Sequence, residues 1–197
     1  MGTAVYYEQR AREYDEWYLG LGLFASRNPP GWEREVARVI ELVSELPAAR
    51  TLDVACGTGF LTRHLRGTTV GLDQSPAMAA VARSRVPMVL VGDALRLPVG
   101  DKAFDRVLTG HFYGHLPPDE RAAFLAEVRR VAAELVVIDT AMRPGVEPAQ
   151  WVDRTLNDGS RHRIYKRYLT STQLAEELAG EVLLETPSFV AARVKWS

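Results

Sequence analysis

Residues 51–65 read TLDVACGTGFLTRHL, and this stretch decides the fold. Its first part ends in Val54 and Ala55 and is apolar enough for a buried strand, and Gly57 and Gly59 follow at once. Glycine permits a tight turn and lets the backbone approach a ligand closely. The remaining residues have a helical pattern. A strand, a glycine turn and a helix in this order predict a ligand site at the carboxyl end of a parallel strand.

The composition is that of one globular domain. The chain has 197 residues, of which 47% are hydrophobic and 25% charged, ordinary values for a globular protein. A formal net charge of -1 gives no general attraction for nucleic acid or an anionic membrane. The N-terminus, MGTAVYYEQRAREYDEWY, lacks the apolar core of a signal peptide, and no apolar run is long enough to span a bilayer. These features predict a cytoplasmic protein with no membrane association and no nucleic-acid partner.

Strand-like and helical segments alternate through the middle of the chain. This alternation favours a parallel sheet with helices on both faces. The stretch 143–163 is polar and is predicted to be irregular. In chain order the patterns predict helices over 4–19 and 32–46, a strand over 51–55, a helix over 60–66, a strand over 68–73, a helix over 76–85 capped by Ser75, strands over 87–93 and 103–110, a helix over 117–133, a strand over 134–140, a helix over 170–180, and an antiparallel pair around 186–188.

Three acidic residues stand at or near the ends of predicted strands. Asp73 follows Asp53 at the spacing of the acid that binds ribose hydroxyls in dinucleotide sites. Asp93 ends the third strand, where a carboxylate could reach a purine amine. A dinucleotide site also needs a small residue where Thr62 stands, and the negative charge of Asp53 would repel a pyrophosphate. A nucleoside ligand that carries positive charge, such as S-adenosylmethionine, fits better.

The ordered motifs LDVACGTG, VGLDQSPAM, VGDALRLP and FDRVLTGHFYGHL resemble those of the class I S-adenosylmethionine-dependent methyltransferases. The similarity is strongest to the ubiquinone/menaquinone-type and small-molecule enzymes, and it covers roughly residues 35–140. It implies an α/β fold with a Rossmann-like, doubly wound, mostly parallel seven-stranded sheet, N-terminal helices and a C-terminal antiparallel hairpin. On this basis we interpret residues 1–197 as one domain, with a helical lid over 1–46, a cofactor-binding core over 50–140, and a C-terminal insert, helix and strands over 141–197.

The resemblance also implies a cofactor site. Asp53 would organise the glycine turn and meet the ammonium of the cofactor, Asp73 would bind the ribose, and Asp93 would hold the adenine amine. Ala55 replaces a glycine that is commoner in the family. The complete set that we expect to contact S-adenosyl-L-methionine, or its product S-adenosyl-L-homocysteine, is Asp53, Ala55, Cys56, Gly57, Gly59, Asp73, Gln74, Asp93, Ala94, Thr109 and Gly110.

Other residues are candidates for catalysis or substrate binding. His111 and Tyr113, after the fourth core strand, would lie beside the transferred methyl, where His111 could act as a base; the alternative is a loop histidine bonded to backbone. Tyr7 and Tyr14 could belong to a lid over the site or to a helix packed on the sheet edge. Arg163, in the basic stretch RHRIYKRY, could hold an acidic group of the acceptor, or that stretch could be a solvated edge strand.

The leading hypothesis is an enzyme that moves a methyl group to an oxygen or nitrogen of a small-molecule acceptor. The alternatives are a nicotinamide-dependent oxidoreductase and a non-catalytic module that binds the cofactor. We expect no metal site, because the acidic residues of the C-terminal third are loosely spaced. The sequence does not identify the acceptor or the oligomeric state.

Overall fold

Strands and helices alternate in the computed structural model, which describes residues 2–25 and 28–196. None of the described helices combines the length and the apolar character needed to cross a bilayer. In chain order the elements are α1 (Gly2–Arg10), α2 (Glu16–Leu19), α3 (Trp32–Glu45), β1 (Ala49–Val54), β2 (Gly67–Asp73), α4 (Pro76–Ala82), β3 (Met88–Val91), β4 (Arg106–Gly110), α5 (Pro118–Val131), β5 (Glu134–Thr140), β6 (Ala149–Thr155), β7 (Arg161–Arg167), α6 (Ser171–Leu178), β8 (Glu181–Glu185) and β9 (Phe189–Lys195).

Seven of the strands form one sheet in the order β3-β2-β1-β4-β5-β9-β8. The first five run parallel, and β9 pairs antiparallel with both β5 and β8. The chain therefore adds β2 and β3 on one side of β1, and then adds β4 and β5 on the other side. This reversal leaves a crevice at the carboxyl ends of β1 and β4, which is where open α/β sheets bind their ligands. The predicted fold class is confirmed.

Burial explains why the central strands read as continuous apolar runs. All seven residues of β5 are buried, because helices or the N-terminal segment cover both faces of the sheet. On α3, Val36, Val39 and Val43 are buried at helical spacing, and Ile40 is half-buried beside them. Ser75 caps α4 as predicted, since its hydroxyl accepts from the Met78 N–H at 3.1 Å.

The structure corrects three predicted elements. The helix predicted over 4–19 is two helices, α1 and α2, separated by turns. The helix predicted over 60–66 is a single 3-10 turn at Thr62–His64, because Gly67 begins β2 only three residues later. The stretch predicted to be irregular contains the hairpin of β6 and β7, whose strands pair from Ala149↔Arg167 to Thr155↔Arg161. This separate two-stranded sheet contacts α1 and a 3-10 turn at Tyr113–His115.

Candidate active site

A cavity of about 370 Å³ opens at the carboxyl edge of the parallel strands. We call it the sheet-edge cavity. Its volume is in the usual range for small-molecule sites. It brings together ten of the residues predicted from sequence: Tyr7, Tyr14, Ala55, Gly57, Asp73, Gln74, Asp93, Ala94, Gly110 and His111.

Asp73, at the end of β2, is held rigidly where it lines this cavity. One carboxylate oxygen accepts from the Gly57 N–H at 2.8 Å, and the other accepts from the Ser75 N–H at 2.9 Å. Burial raises the pKa of Asp73, and these two backbone donors oppose that effect. Each oxygen has a further lone pair, so the carboxylate can accept from hydroxyl groups of a ligand.

Asp53 lies beneath the glycine turn and is fully enclosed. One of its oxygens accepts from the Thr62 hydroxyl at 2.5 Å, whereas the other has no hydrogen-bond partner among the described residues. Burial raises the pKa of Asp53 to about 7, although the Thr62 hydrogen bond lowers it. A small void of about 10 Å³ is lined by Asp53, Ala55 and Gly110. It is about large enough for one water molecule, so Asp53 is suited to a positively charged ligand, reached directly or through water.

Asp93 and Ala94 line another part of the sheet-edge cavity, after β3. The Asp93 carboxylate accepts from the Leu95 N–H at 2.8 Å and is otherwise exposed. Its neighbour Ala94 is buried, and apolar side chains, Leu72 and Met78, line the same cavity. An exposed carboxylate beside an apolar wall can receive a flat ring that carries an amino group.

Two residues at the cavity have backbone conformations that only glycine adopts easily. Ala55 has φ = 58° and His111 has φ = 59°. Each follows the end of a parallel strand, β1 or β4, at the point where the sheet order reverses. The left-handed conformation is strained for a residue with a side chain, and such strain is concentrated at functional sites.

The His111 side chain is buried among aromatic rings. Its ring centroid lies 4.6 Å from that of Trp17 and 5.5 Å from that of Phe189. Neither ring nitrogen has a hydrogen-bond partner among the described residues, while the backbone N–H donates to the Ile138 carbonyl at 2.8 Å. Burial lowers the pKa of His111 to about 3, so the imidazole is neutral at pH 7 and both nitrogens can bond to a ligand.

A second cavity, of about 170 Å³, lies under the N-terminal segment and the β6–β7 hairpin. We call it the lid cavity. Four side chains line both cavities, so the two spaces meet: Tyr7, Tyr14, His111 and His115. The walls of the lid cavity also include Trp17 and Trp32 and the cationic side chains of Arg10, Arg143, Arg154 and Lys166.

Two acidic side chains fasten the N-terminal segment over the glycine turn and α4. Glu8 accepts from the Ser75 hydroxyl at 2.5 Å and from the Ala77 N–H at 3.1 Å. Asp15 accepts from the Thr58 hydroxyl at 2.5 Å and lies 2.7 Å from the Arg85 guanidinium. The segment therefore covers the cavity, as a lid would, and does not pack only on the sheet edge.

Tyr113 and Arg163 do not reach either cavity. The Tyr113 hydroxyl donates to Glu177 at 3.1 Å, and its ring packs in the core beside Phe124. Arg163 is exposed, because alternate residues of β7 point to opposite faces and the inward ones are His162, Ile164 and Lys166. Their placement argues against the catalytic role predicted for Tyr113 and the substrate-binding role predicted for Arg163.

Three of the predicted cofactor residues support the site from behind it. The Thr109 hydroxyl donates to the Val54 carbonyl at 2.8 Å and so joins β4 to β1. Cys56 is buried, and burial raises the pKa of its thiol. Gly59 has φ = 75°, and a Cβ added there would lie only 3.0 Å from a methyl of Val86. The described residues contain no group of three or more His, Cys, Asp or Glu side chains placed to hold a metal ion.

The sequence interpretation missed the ion pair beneath the lid cavity. Lys166 of β7 donates to Asp139, at the end of β5, at 2.5 Å, and both side chains are buried. Asp139 also accepts from the Gly114 N–H at 2.7 Å. The pair joins the hairpin to the sheet. The only sequence signal for it is the apolar Ile164 two positions before Lys166, which marks the inward face of the strand.

Comparison with known proteins agrees with this geometry. A family described as "Methyltransferase domain" matches residues 52–135. The demethylmenaquinone methyltransferase of Lactiplantibacillus plantarum is 33% identical over 161 residues, which are 72% of this chain and 65% of that enzyme. The chain thus spans just under two thirds of the length of that relative.

Solved structures match over nearly the whole chain. The structure of a DhpI-SAH complex is 27% identical to this chain and has a TM-score of 0.77. The match covers 99% of this chain and 96% of that one. A DhpI-SAM-HEP complex is 26% identical with a TM-score of 0.74, over 96% of this chain and 94% of that one. The matched sequence, the sheet order and the acidic strand ends agree, and the chain belongs to the class I S-adenosylmethionine-dependent methyltransferases.

Proposed function

We propose that this enzyme transfers the methyl group of S-adenosylmethionine to an oxygen or nitrogen of a small molecule bound in the lid cavity. The observation that carries the proposal is the junction of the two cavities at Tyr7, Tyr14, His111 and His115. A cofactor bound along the strand ends and an acceptor under the lid would meet there.

The residues of the sheet-edge cavity fit this cofactor. Asp73 has free lone pairs for ribose hydroxyls, and Asp93 is exposed beside an apolar wall that suits adenine. The unpartnered oxygen of Asp53 suits the ammonium of the methionine part. In contrast, the turn at Thr62–His64 provides no long helix whose N-terminus could hold a pyrophosphate, which disfavours a nicotinamide cofactor.

Methyl transfer from this cofactor requires little chemistry from the protein itself. When bound, the cofactor would supply a methyl group on a cationic sulfur, which is a good leaving group for displacement by the acceptor's lone pair. The rings of Tyr7 and Tyr14 line the junction, where they would shield the reacting atoms of bound ligands from water. The main contribution of the protein is to hold the two reacting atoms in line.

We propose that His111 orients the acceptor at this junction. Its neutral, unpartnered nitrogens can accept from, or donate to, a polar group of the acceptor. A histidine whose pKa is lowered to about 3 is a weak proton acceptor. Orientation by hydrogen bonding therefore describes His111 better than general base catalysis. A cytoplasmic location and the lack of a nucleic-acid partner stay predictions.

Calorimetry with S-adenosylhomocysteine tests the cofactor half of the proposal. We expect micromolar binding that Asp73→Ala weakens by roughly 100-fold or more, since two hydrogen bonds to a charged acceptor contribute about 1.5–3 kcal/mol each. Transfer of labelled methyl from S-adenosylmethionine to a panel of small acids, phenols and amines tests the other half. Tight binding with no transfer to any member would favour the non-catalytic alternative.

A further inference from the structure

We infer that the lid cavity binds the acceptor as an anion, so that the substrate is a small organic acid with a carboxylate or a phosphorus oxyanion. This inference rests on the proposed function, because it specifies which acceptor meets the methyl group at the junction.

The lid cavity carries an excess of positive charge. Arg10, Arg143, Arg154 and Lys166 all line it. Of these, Lys166 is paired with Asp139. For the three arginines, no carboxylate of residues 2–25 and 28–196 lies within 4.0 Å. Three guanidinium groups with no acidic partner thus face one small space.

Arg10 makes this arrangement unusual. It is 8% exposed, and its guanidinium lies 5.1 Å from the ring centroids of both Tyr14 and Phe24. Its Nε has no hydrogen-bond partner among the described residues, although another nitrogen donates to the Tyr6 hydroxyl. A buried charge without a counter-ion is costly. An oxyanion in the cavity would remove that cost, and the planar guanidinium can donate two parallel hydrogen bonds to it.

The position and size of the cavity define the rest of the ligand. Arg154 of β6 and Lys166 of β7 lie on the inward face of the hairpin, while His111 lies at the junction with the sheet-edge cavity. The acid group of the ligand would bind beside Arg154 and Lys166, and the rest of the ligand would point toward His111. A volume of about 170 Å³, walled by Trp17 and Trp32, admits a small aromatic or similarly compact acid.

Binding of three matched probes tests the inference. Benzoate, phenylphosphonate and neutral benzyl alcohol share one ring and differ in the group attached to it. With the protein saturated by S-adenosylhomocysteine at pH 7.5, calorimetry should show that one or both acids bind at least tenfold more tightly than the alcohol. Whichever acid binds more tightly identifies carboxylate or phosphorus oxyanion as the natural group. Equal binding of acid and alcohol, or no binding of any probe up to high millimolar concentration, overturns the inference.

Variants locate the anion. Arg154→Gln and Arg143→Gln should each weaken acid binding about tenfold or more, because a hydrogen bond to a charged group is lost, and should leave S-adenosylhomocysteine affinity within twofold. Arg66→Gln is the matched control, since Arg66 is exposed before β2, at the opposite edge of the sheet, and lines neither cavity. An equal loss in the control, or no loss in either cavity variant, overturns the inference. Failure to bind S-adenosylhomocysteine at all would instead contradict the proposed function. The acid titrations are therefore repeated without S-adenosylhomocysteine, so that failure of the proposed function can be distinguished from failure of the anion inference.

Discussion

Replacing Asp53 by asparagine should stabilise the cofactor-free protein at neutral pH and weaken cofactor binding. Asp53 is 2% exposed, and burial raises its pKa from 3.8 to about 7. A pKa increase of this size corresponds to about 4 kcal/mol of unfavourable free energy for the ionised side chain in the folded state. Asparagine keeps an oxygen that can accept from Thr62 and carries no charge. It also adds a buried amide N–H group beside the small void, which costs about 1–3 kcal/mol if it finds no partner.

The sign of the pH dependence follows from the raised pKa. Between pH 4 and pH 7 the folded protein binds a proton at Asp53 that the unfolded chain has released, so the free energy of unfolding falls as pH rises through this window. Urea denaturation at pH 4.5, 5.5, 6.5 and 8 measures it. The free energy of unfolding of Asp53→Asn, minus that of the wild type, should grow by about 3 kcal/mol from pH 4.5 to pH 8.

Two measurements accompany this experiment. Asp105→Asn is the control, because Asp105 is exposed and its pKa is lowered to about 2 by hydrogen bonds from Arg50; its difference from the wild type should not grow above pH 5. Calorimetry should show that Asp53→Asn weakens S-adenosylhomocysteine binding about tenfold, as expected for a lost charged contact. A pH-independent difference between Asp53→Asn and the wild type would refute the raised pKa, and unchanged cofactor affinity would refute the ligand contact.

Three further substitutions probe the site and its support. Asp73→Ala should lower stability as well as cofactor affinity, because the Ser75 N–H loses its acceptor; thermal denaturation with and without S-adenosylhomocysteine should show a lower midpoint and little ligand-induced shift. Lys166→Met should lower the free energy of unfolding by about 3–5 kcal/mol in urea, because it leaves the carboxylate of Asp139 buried and unpaired, and a change below 1 kcal/mol would contradict that burial. Thr170→Ala should cost only about 1 kcal/mol in the same assay, because it removes the capping box of α6 and touches neither cavity.

The sheet-edge cavity, where we place the cofactor, was predictable because its signals are local. Each acid follows an apolar strand, and parallel strands bring their carboxyl ends to one edge of the sheet. The spacing of Asp53, Asp73 and Asp93 therefore placed two of them in the cavity and the third beneath its turn.

The failures occurred where local pattern and tertiary context differ. FLTRHL has a helical pattern, but the short connection to β2 permits only a 3-10 turn. The hairpin of β6 and β7 was hidden by polar residues, since only one face of this two-stranded sheet is partly buried. Because β7 was not predicted from the sequence, the alternation of side chains along a strand could not be used to predict that Arg163 points outward and Lys166 inward.

The alternating α/β architecture could be predicted from the amino-acid pattern, and so could the edge of the sheet at which we place the cofactor, because strand periodicity and glycine turns act over a few residues. The acceptor side that we propose could be recognised only in the folded chain. Arg10 comes from α1, Arg154 from β6 and Lys166 from β7, and each is an ordinary charged residue in its own segment. The folded chain places these side chains around one cavity beside His111, and only Lys166 has an acidic partner among the described residues.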